Sequence, residues 1–233
     1  MSRNLTTVGF DADDTLWHNE RFFQLTQDRF TELLADHAER DHLMERLLAA
    51  ERRNLGRYGY GIKGFVLSMI ETALEVTSDR VPASAIRELI EAGHEMLAHP
   101  IELLPHAGEA VTSVAETHRV VLVTKGDLLD QERKLAQSGL GELFDAVEIV
   151  SEKTPHIYGD IFARHGDGPE RAMMVGNSIR SDVVPAIKAG SWGVYVPHDL
   201  LWDLERADTP HHSTRFRELP DLSGLSELVN ALG

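Results

Sequence analysis

Three carboxylates and a hydroxyl crowd into the six residues Phe10-Asp11-Ala12-Asp13-Asp14-Thr15, at the end of an apolar run. Residues 5–10 read as a buried strand, and the charges begin where it stops. Acids this close repel one another, so a plain loop carrying them would be destabilised unless something offset the charge. A divalent cation does so readily, because hard cations take carboxylate oxygens. In an open parallel sheet the C-terminal ends of the strands are also where ligands bind. The plainer alternative is an acidic turn or a helix cap, both common places for Asp.

Further polar groups fall just past later apolar runs. Thr124 follows residues 120–123, Lys153 follows 146–150, and Gly176-Asn177-Ser178-Ile179-Arg180-Ser181-Asp182 closes the run at 173–176. A last run occupies residues 193–196. Between them lie helical patterns. One ends near Gly139, one opens with Thr154 as N-cap and Pro155 in the first turn, and one from Ser181 to Ala189 is closed by Gly190. Short, mostly unalternating strands between helices mean a parallel sheet covered on both faces. Residues 17–100 break this rhythm. Phe22, Phe23, Phe30, Leu33 and Leu34 recur at helical spacing, as do Leu43, Leu47 and Leu48, then Phe65, Met69, Ile70 and Leu74, then Ile86, Leu89, Ile90 and Leu97. A glycine-rich stretch over residues 56–64 interrupts these helices and reads as flexible. The tail from His198 is less legible, apart from a short helix over residues 225–232.

Composition narrows the classes. A formal net charge of -15 argues against nucleic-acid polymers and anionic membranes as partners, though not against a small anionic substrate. With no Cys there is no disulfide, thiolate metal site or cysteine nucleophile. The twelve histidines show no metal-ligand spacing. Met1-Ser2-Arg3-Asn4-Leu5 leads straight into the strand and leaves no room for a signal peptide, and no apolar run approaches a membrane span. The expectation is a cytoplasmic protein.

The ordered set of Asp11 and Asp13, Thr124, Lys153 and the segment from Gly176 to Asp182 resembles the haloacid-dehalogenase superfamily, mostly phosphatases. The likeness covers nearly the whole chain. It implies a Rossmann-like parallel α/β core from residues 1–16 and 101–233, with a helical cap over residues 17–100. It also implies a Mg²⁺-dependent phosphatase acting on a small phosphorylated metabolite, with a homodimer left open. Asp11 would attack phosphorus to give an acyl phosphate. Asp13 would protonate the leaving alcohol and later deprotonate water, and its acidic neighbours should favour the protonated form. Thr124 would offer a hydroxyl to the phosphate, and Lys153 a fixed positive charge. Mg²⁺ would be held by Asp11, Asp13, Asn177 and Asp182. Thr15, Lys125 and Gly126 would line the substrate, while Arg57 and Tyr60 of the cap would meet its non-phosphate end.

Two positions depart from the family pattern. Asp14 stands where most members have Gly, so the turn must tolerate a side chain and a further charge. Asn177 stands where an Asp commonly ligates Mg²⁺, which removes a unit charge and should weaken metal binding without abolishing it. Dehalogenases of the same fold also carry Asn in this motif and use no metal. They lack an acid at the position of Asp13, because a halide leaves without a proton. A phosphomutase is a smaller alternative. A catalytically weak binding or regulatory protein is the alternative from another class, but a scaffold needs none of these side chains.

Overall fold

The computed structural model describes residues 5–233. Met1–Asn4, on which the reading of a leaderless start rests, lie outside the described residues. The chain divides into two compact units. One comprises Met1–Glu20, Ile101–Lys125 and Gln131–Gly233, and the other Arg21–Pro100 with Gly126–Asp130. Residues 17–20 therefore group with the sheet, and a short piece after the second strand groups with the helices.

The first unit is built on six parallel strands in the order β3-β2-β1-β4-β5-β6. β1 (Thr7–Phe10) lies between β2 (Arg119–Lys125) and β4 (Ala172–Gly176), with Phe10 level with Leu122 and Val175. β3 (Ala146–Val150) pairs outside β2, and β5 (Trp192–Tyr195) outside β4. Alternation along β1 divides its side chains between two cores. Val8 and Phe10 pack with Val120, Leu122, Met173 and Val175 against α5 (Ala107–Ala115) and α9 (Leu225–Leu232). On the opposite face, Val121, Val123 and Met174 meet Tyr158, Ile161 and Phe162 of α7 (Pro155–His165) and Ala186 of α8 (Val184–Ala189). Gly9 faces that second core with no room to spare, because a Cβ there would stand 3.0 Å from Met174 Sδ and 3.1 Å from the Phe162 ring. Thr154 caps α7 by accepting from the Ile157 N–H at 3.3 Å. Gly190 closes α8 in the left-handed region at φ 102°.

The second unit contains α1 (Glu20–Leu33), α2 (Arg40–Tyr58), α3 (Ile62–Thr77) and α4 (Ala83–Ala98) around Phe30, Leu34, Leu43, Leu47, Phe65, Met69 and Leu89. Each large apolar side chain buried this way contributes roughly 1.5–3 kcal/mol. The glycine-rich stretch is far more ordered than its composition suggests. Gly56 to Tyr58 complete α2, Ile62 to Gly64 start α3, and only Gly59 to Gly61 lie between them. Gly59 and Gly61 hold φ of 72° and 115°, which L side chains resist. Lys63 is paired with Asp127 at 2.9 Å within this unit.

In the tail, β6 (Phe216–Glu218) adds a three-residue edge strand that the sequence does not announce. Among the described residues no helix is long and apolar enough to cross a membrane.

Candidate active site

Parallel register brings the polar groups together. Asp11 follows the last residue of β1, Lys125 is the last of β2 and lies level with Val150, and Asn177 follows β4. Lys153 comes three residues after β3. All therefore sit at the C-terminal edge of the sheet, where the strands' hydrogen-bonding runs out and side chains are free to converge.

Lys153 is the hub. Its Nζ donates to Asp11 Oδ1 at 2.5 Å and to Asp182 Oδ1 at 2.7 Å, and all three side chains are buried. Burial works to strip Lys153 of its proton, but Asp11 and then Asp182 outweigh it and hold the ammonium above the ordinary lysine range. The same burial, reinforced by repulsion from Asp182, pushes Asp11 up to about 7 against the pull of Lys153. Two carboxylates share one cation, so the cluster carries a negative excess whenever both are ionised.

Asp182 owes its place to local backbone. Ser178 caps the following turn by accepting from the Ser181 N–H at 2.9 Å. The turn is a single π turn over Ile179–Val183, with the Val183 N–H reaching back to the Ser178 carbonyl at 3.1 Å. Such insertions recur at functional sites because they re-aim a side chain. Here Asp182 Oδ2 is turned back to accept the Ser178 N–H at 2.9 Å. Gly176 makes room for it: a Cβ there would fall 2.2 Å from Asp182 Oδ2. Beneath, Tyr158 donates to the Ser181 carbonyl at 3.0 Å, and burial beside Asp182 and Asp11 raises its phenol well above the usual range.

Thr15 ties Asp11 to Asn177. Its Oγ1 accepts the Asn177 N–H at 3.0 Å and lies 3.1 Å from Asp11 Oδ2 and 3.3 Å from Asn177 Oδ1. One hydroxyl proton cannot serve two acceptors at once, so one of these oxygens keeps an unused lone pair.

Asp13 turns to a different set of partners. Trp17 Nε1 donates to Oδ1 at 2.8 Å, Lys134 Nζ to Oδ1 at 3.0 Å, and Gln131 Nε2 to Oδ2 at 2.8 Å. The sequence places acidic neighbours beside Asp13, and the structure adds the Lys134 ammonium to them. Asp14 occupies the left-handed region at φ 59°, which Asp tolerates better than most residues. Its carboxylate accepts from the N–H groups of Asn19 at 2.8 Å and Glu20 at 2.9 Å, capping the start of α1. Burial pushes Asp14 up to about 6, opposed by these hydrogen bonds and by His198.

Thr124 is buried at the end of β2, and its hydroxyl turns to the Lys125 carbonyl at 3.3 Å. Lys125 donates to Glu205 Oε1 at 2.7 Å and to Ser181 Oγ at 2.8 Å. Glu205 also accepts from Ser178 Oγ at 2.6 Å and Ser181 Oγ at 2.5 Å. Although burial disfavours its charge, Lys125 and these hydroxyls hold its carboxyl below the usual range. Gly126 opens the piece that groups with the helical unit, at φ 139°. Arg57, in the last turn of α2, and Tyr60, in the turn after it, also belong to that unit.

Sequence reasoning missed Trp17, Gln131, Lys134, Tyr158 and Glu205. Gln131 and Lys134 did carry a signal, an i,i+3 polar pair on the helix after β2, α6 (Leu128–Ser138). Glu205 had none, because it lies in the patternless tail.

The donor set suits a hard divalent cation. Asp11 Oδ2 and Asn177 Oδ1 converge on Thr15 with acceptor capacity to spare, and Asp11 lacks full compensation for its charge. Both oxygens of Asp182 and both of Asp13 already accept from the chain. Among the described residues no three His, Cys, Asp or Glu form a cage. Such a cation would complete its shell with water and substrate oxygens, as Mg²⁺ commonly does.

A parallel sheet gathering these groups at one edge defines an α/β enzyme with a Rossmann-like core. Residues 5–190 match the family model for haloacid dehalogenase-like hydrolases, and the chain belongs to that family. It is 23% identical over 241 residues to the glyceraldehyde 3-phosphate phosphatase of Methanothermobacter thermautotrophicus, covering 97% of this chain and 100% of the relative. A haloacid dehalogenase-like family hydrolase from Xanthomonas campestris superposes with a TM-score of 0.87 at 43% identity, covering 98% of this chain and 91% of that one. The L-2-haloacid dehalogenase of Xanthobacter autotrophicus, solved with chloropropionic acid covalently bound, shares the fold with a TM-score of 0.66 at 19% identity, over 98% and 100% of the two chains.

Proposed function

We propose that this hydrolase is a Mg²⁺-dependent phosphatase of small phosphate monoesters that works through an aspartyl phosphate. The observation that carries the reading is the second carboxylate, Asp13, two residues beyond Asp11 at the same strand end. An alkoxide leaving from phosphorus needs a proton, whereas a halide leaving from carbon does not. The phosphatase among its relatives supports the same substrate class.

In this mechanism Asp11 is the nucleophile. One of its oxygens attacks phosphorus, the bond from phosphorus to the ester oxygen breaks, and Asp13 gives that oxygen its proton. Asp13 then takes a proton from water as the water attacks the acyl phosphate, which releases inorganic phosphate and regenerates Asp11. Lys153 holds Asp11 in place and supplies positive charge as charge builds on the phosphoryl oxygens. Bound at Asp11 and Asn177, Mg²⁺ would offset the repulsion between carboxylate and phosphate. Thr15 orients Asp11 and Asn177 together.

The test is hydrolysis of p-nitrophenyl phosphate by the purified protein with Mg²⁺, with EDTA, and by Asp11→Asn. The reading requires turnover in Mg²⁺, loss in EDTA and loss in the variant. Halide release from 2-chloropropionate, unchanged by chelator, would favour the dehalogenase reading that Asn177 leaves open.

A further inference from the structure

We propose that Gln131 and Lys134, together with Trp17, are positioning residues that fix the Asp13 carboxylate so that one lone pair of Oδ2 faces the leaving group. The inference rests on the phosphatase reading, in which Asp13 moves the proton. An ionised carboxylate offers about four lone-pair positions. Trp17 Nε1 and Lys134 Nζ fill two on Oδ1, at 2.8 and 3.0 Å. Gln131 Nε2 fills one on Oδ2 at 2.8 Å. The remaining position on Oδ2 is where a proton in transit can sit.

The donors themselves are held. Gln131 spends its second amide hydrogen on the Lys125 carbonyl at 3.1 Å, which leaves its buried Oε1 without a hydrogen-bond partner. An orphaned buried acceptor costs roughly 1–3 kcal/mol. The alternative is worse, because turning the amide over would set Oε1 against both the Lys125 carbonyl and the Asp13 carboxylate. Two acceptors thus lock the amide with its N–H toward Asp13. Lys134 is anchored in turn by Asn19 Oδ1 at 2.8 Å, and Trp17 is wholly buried. Gln131 and Lys134 are only 3% and 6% exposed. Burying an amide and an ammonium side by side on α6 gains little stability by itself, since desolvation consumes most of the attraction. What the cluster achieves is a carboxylate with both torsions pinned.

Two esters separate this role from a structural one. p-Nitrophenolate leaves without a proton, while the alkoxide from glycerol phosphate requires one. In Gln131→Met and Lys134→Met, kcat on glycerol phosphate should fall by about 10²-fold while the burst rate of p-nitrophenolate release stays within about threefold. KM should hardly change on glycerol phosphate. Equal losses on both esters, or none, would overturn the proposal. If the wild-type protein hydrolyses neither ester, the phosphatase reading itself fails. A crystal structure of the double variant then judges the positioning alone: Asp13 turned from its place supports it, and Asp13 unmoved overturns it.

Discussion

Lys153 donates to Asp182 across 2.7 Å at a point where neither side chain meets water. The bond joins the segment after β3 to the π turn after β4, and the same ammonium reaches Asp11 at 2.5 Å. Removing Lys153 would strand two buried carboxylates side by side. Lys153→Met should therefore cost about 3–5 kcal/mol, the usual penalty for breaking a buried pair from one side. Urea unfolding at pH 8 measures it. Part of the loss should be recovered at pH 5, where Asp11 can take up a proton. Replacing Asp182 with Asn in the same background should also recover part, because it removes one of the stranded charges.

Asp11 and Asp14 give stability a pH dependence of definite sign. Both carboxyls sit above the ordinary Asp value of 3.8, Asp11 at about 7 and Asp14 at about 6, chiefly through burial. Between about pH 4 and those values the folded chain keeps protons that the unfolded chain has already released. Stability contributed by these groups is therefore present in acid and lost as pH rises through about 6 to 7. Thermal unfolding of the metal-free protein should show Tm falling across that window. In Asp11→Asn the fall should be shallower and Tm at pH 8 higher than wild type. A steeper fall in the variant would mean that Asp11 is not the group responsible.

β1 and β4 were legible because each is a short, buried apolar run that ends where polar residues begin. Thr154 and Gly190 marked helix ends for the same local reasons that operate in the structure. Asp11, Lys153, Asn177 and Asp182 could be picked out because motif order along the chain becomes proximity along one sheet edge. Partnership was not legible. Asp182 read as a metal ligand, but its hydrogen bonds from Lys153 and the Ser178 amide, one to each oxygen, are a consequence of a π turn that no spacing rule announces. Lys125 read as a substrate contact, yet Glu205 reaches it from eighty residues away. β6 is three residues long and only partly buried, so its pattern is too short to register.

Gly176→Ala tests how tightly the Asp182 carboxylate is fitted. The added methyl would stand 2.2 Å from Asp182 Oδ2 and 2.7 Å from its Cβ, and the Ser178 amide blocks retreat on one side. Either Asp182 leaves Lys153 or the π turn opens. A destabilisation of about 1–3 kcal/mol is expected, with activity lost by more than the stability change explains. Wild-type activity in this variant would show that the tight fit of Asp182 against Gly176 is dispensable.

Asn177→Asp should tighten Mg²⁺ while making the metal-free protein less stable. Asn177 Oδ1 lies 3.3 Å from Thr15 Oγ1, which also lies 3.1 Å from Asp11 Oδ2, so a new carboxylate would stand close to an already under-compensated Asp11. Without metal the added repulsion has no outlet beyond further protonation of Asp11, and Tm at pH 8 should drop below wild type. With metal the extra charge acts in the opposite direction. A unit charge about 4 Å away is worth on the order of 4 kcal/mol per unit of cation charge at an effective dielectric near 20, before desolvation takes its share. Mg²⁺ titrations followed by calorimetry, paired with Tm in EDTA, separate the two effects. Tighter binding with a lower metal-free Tm places residue 177 in the metal's coordination shell. Unchanged affinity with a lower Tm would leave it a neighbour of Asp11 and nothing more.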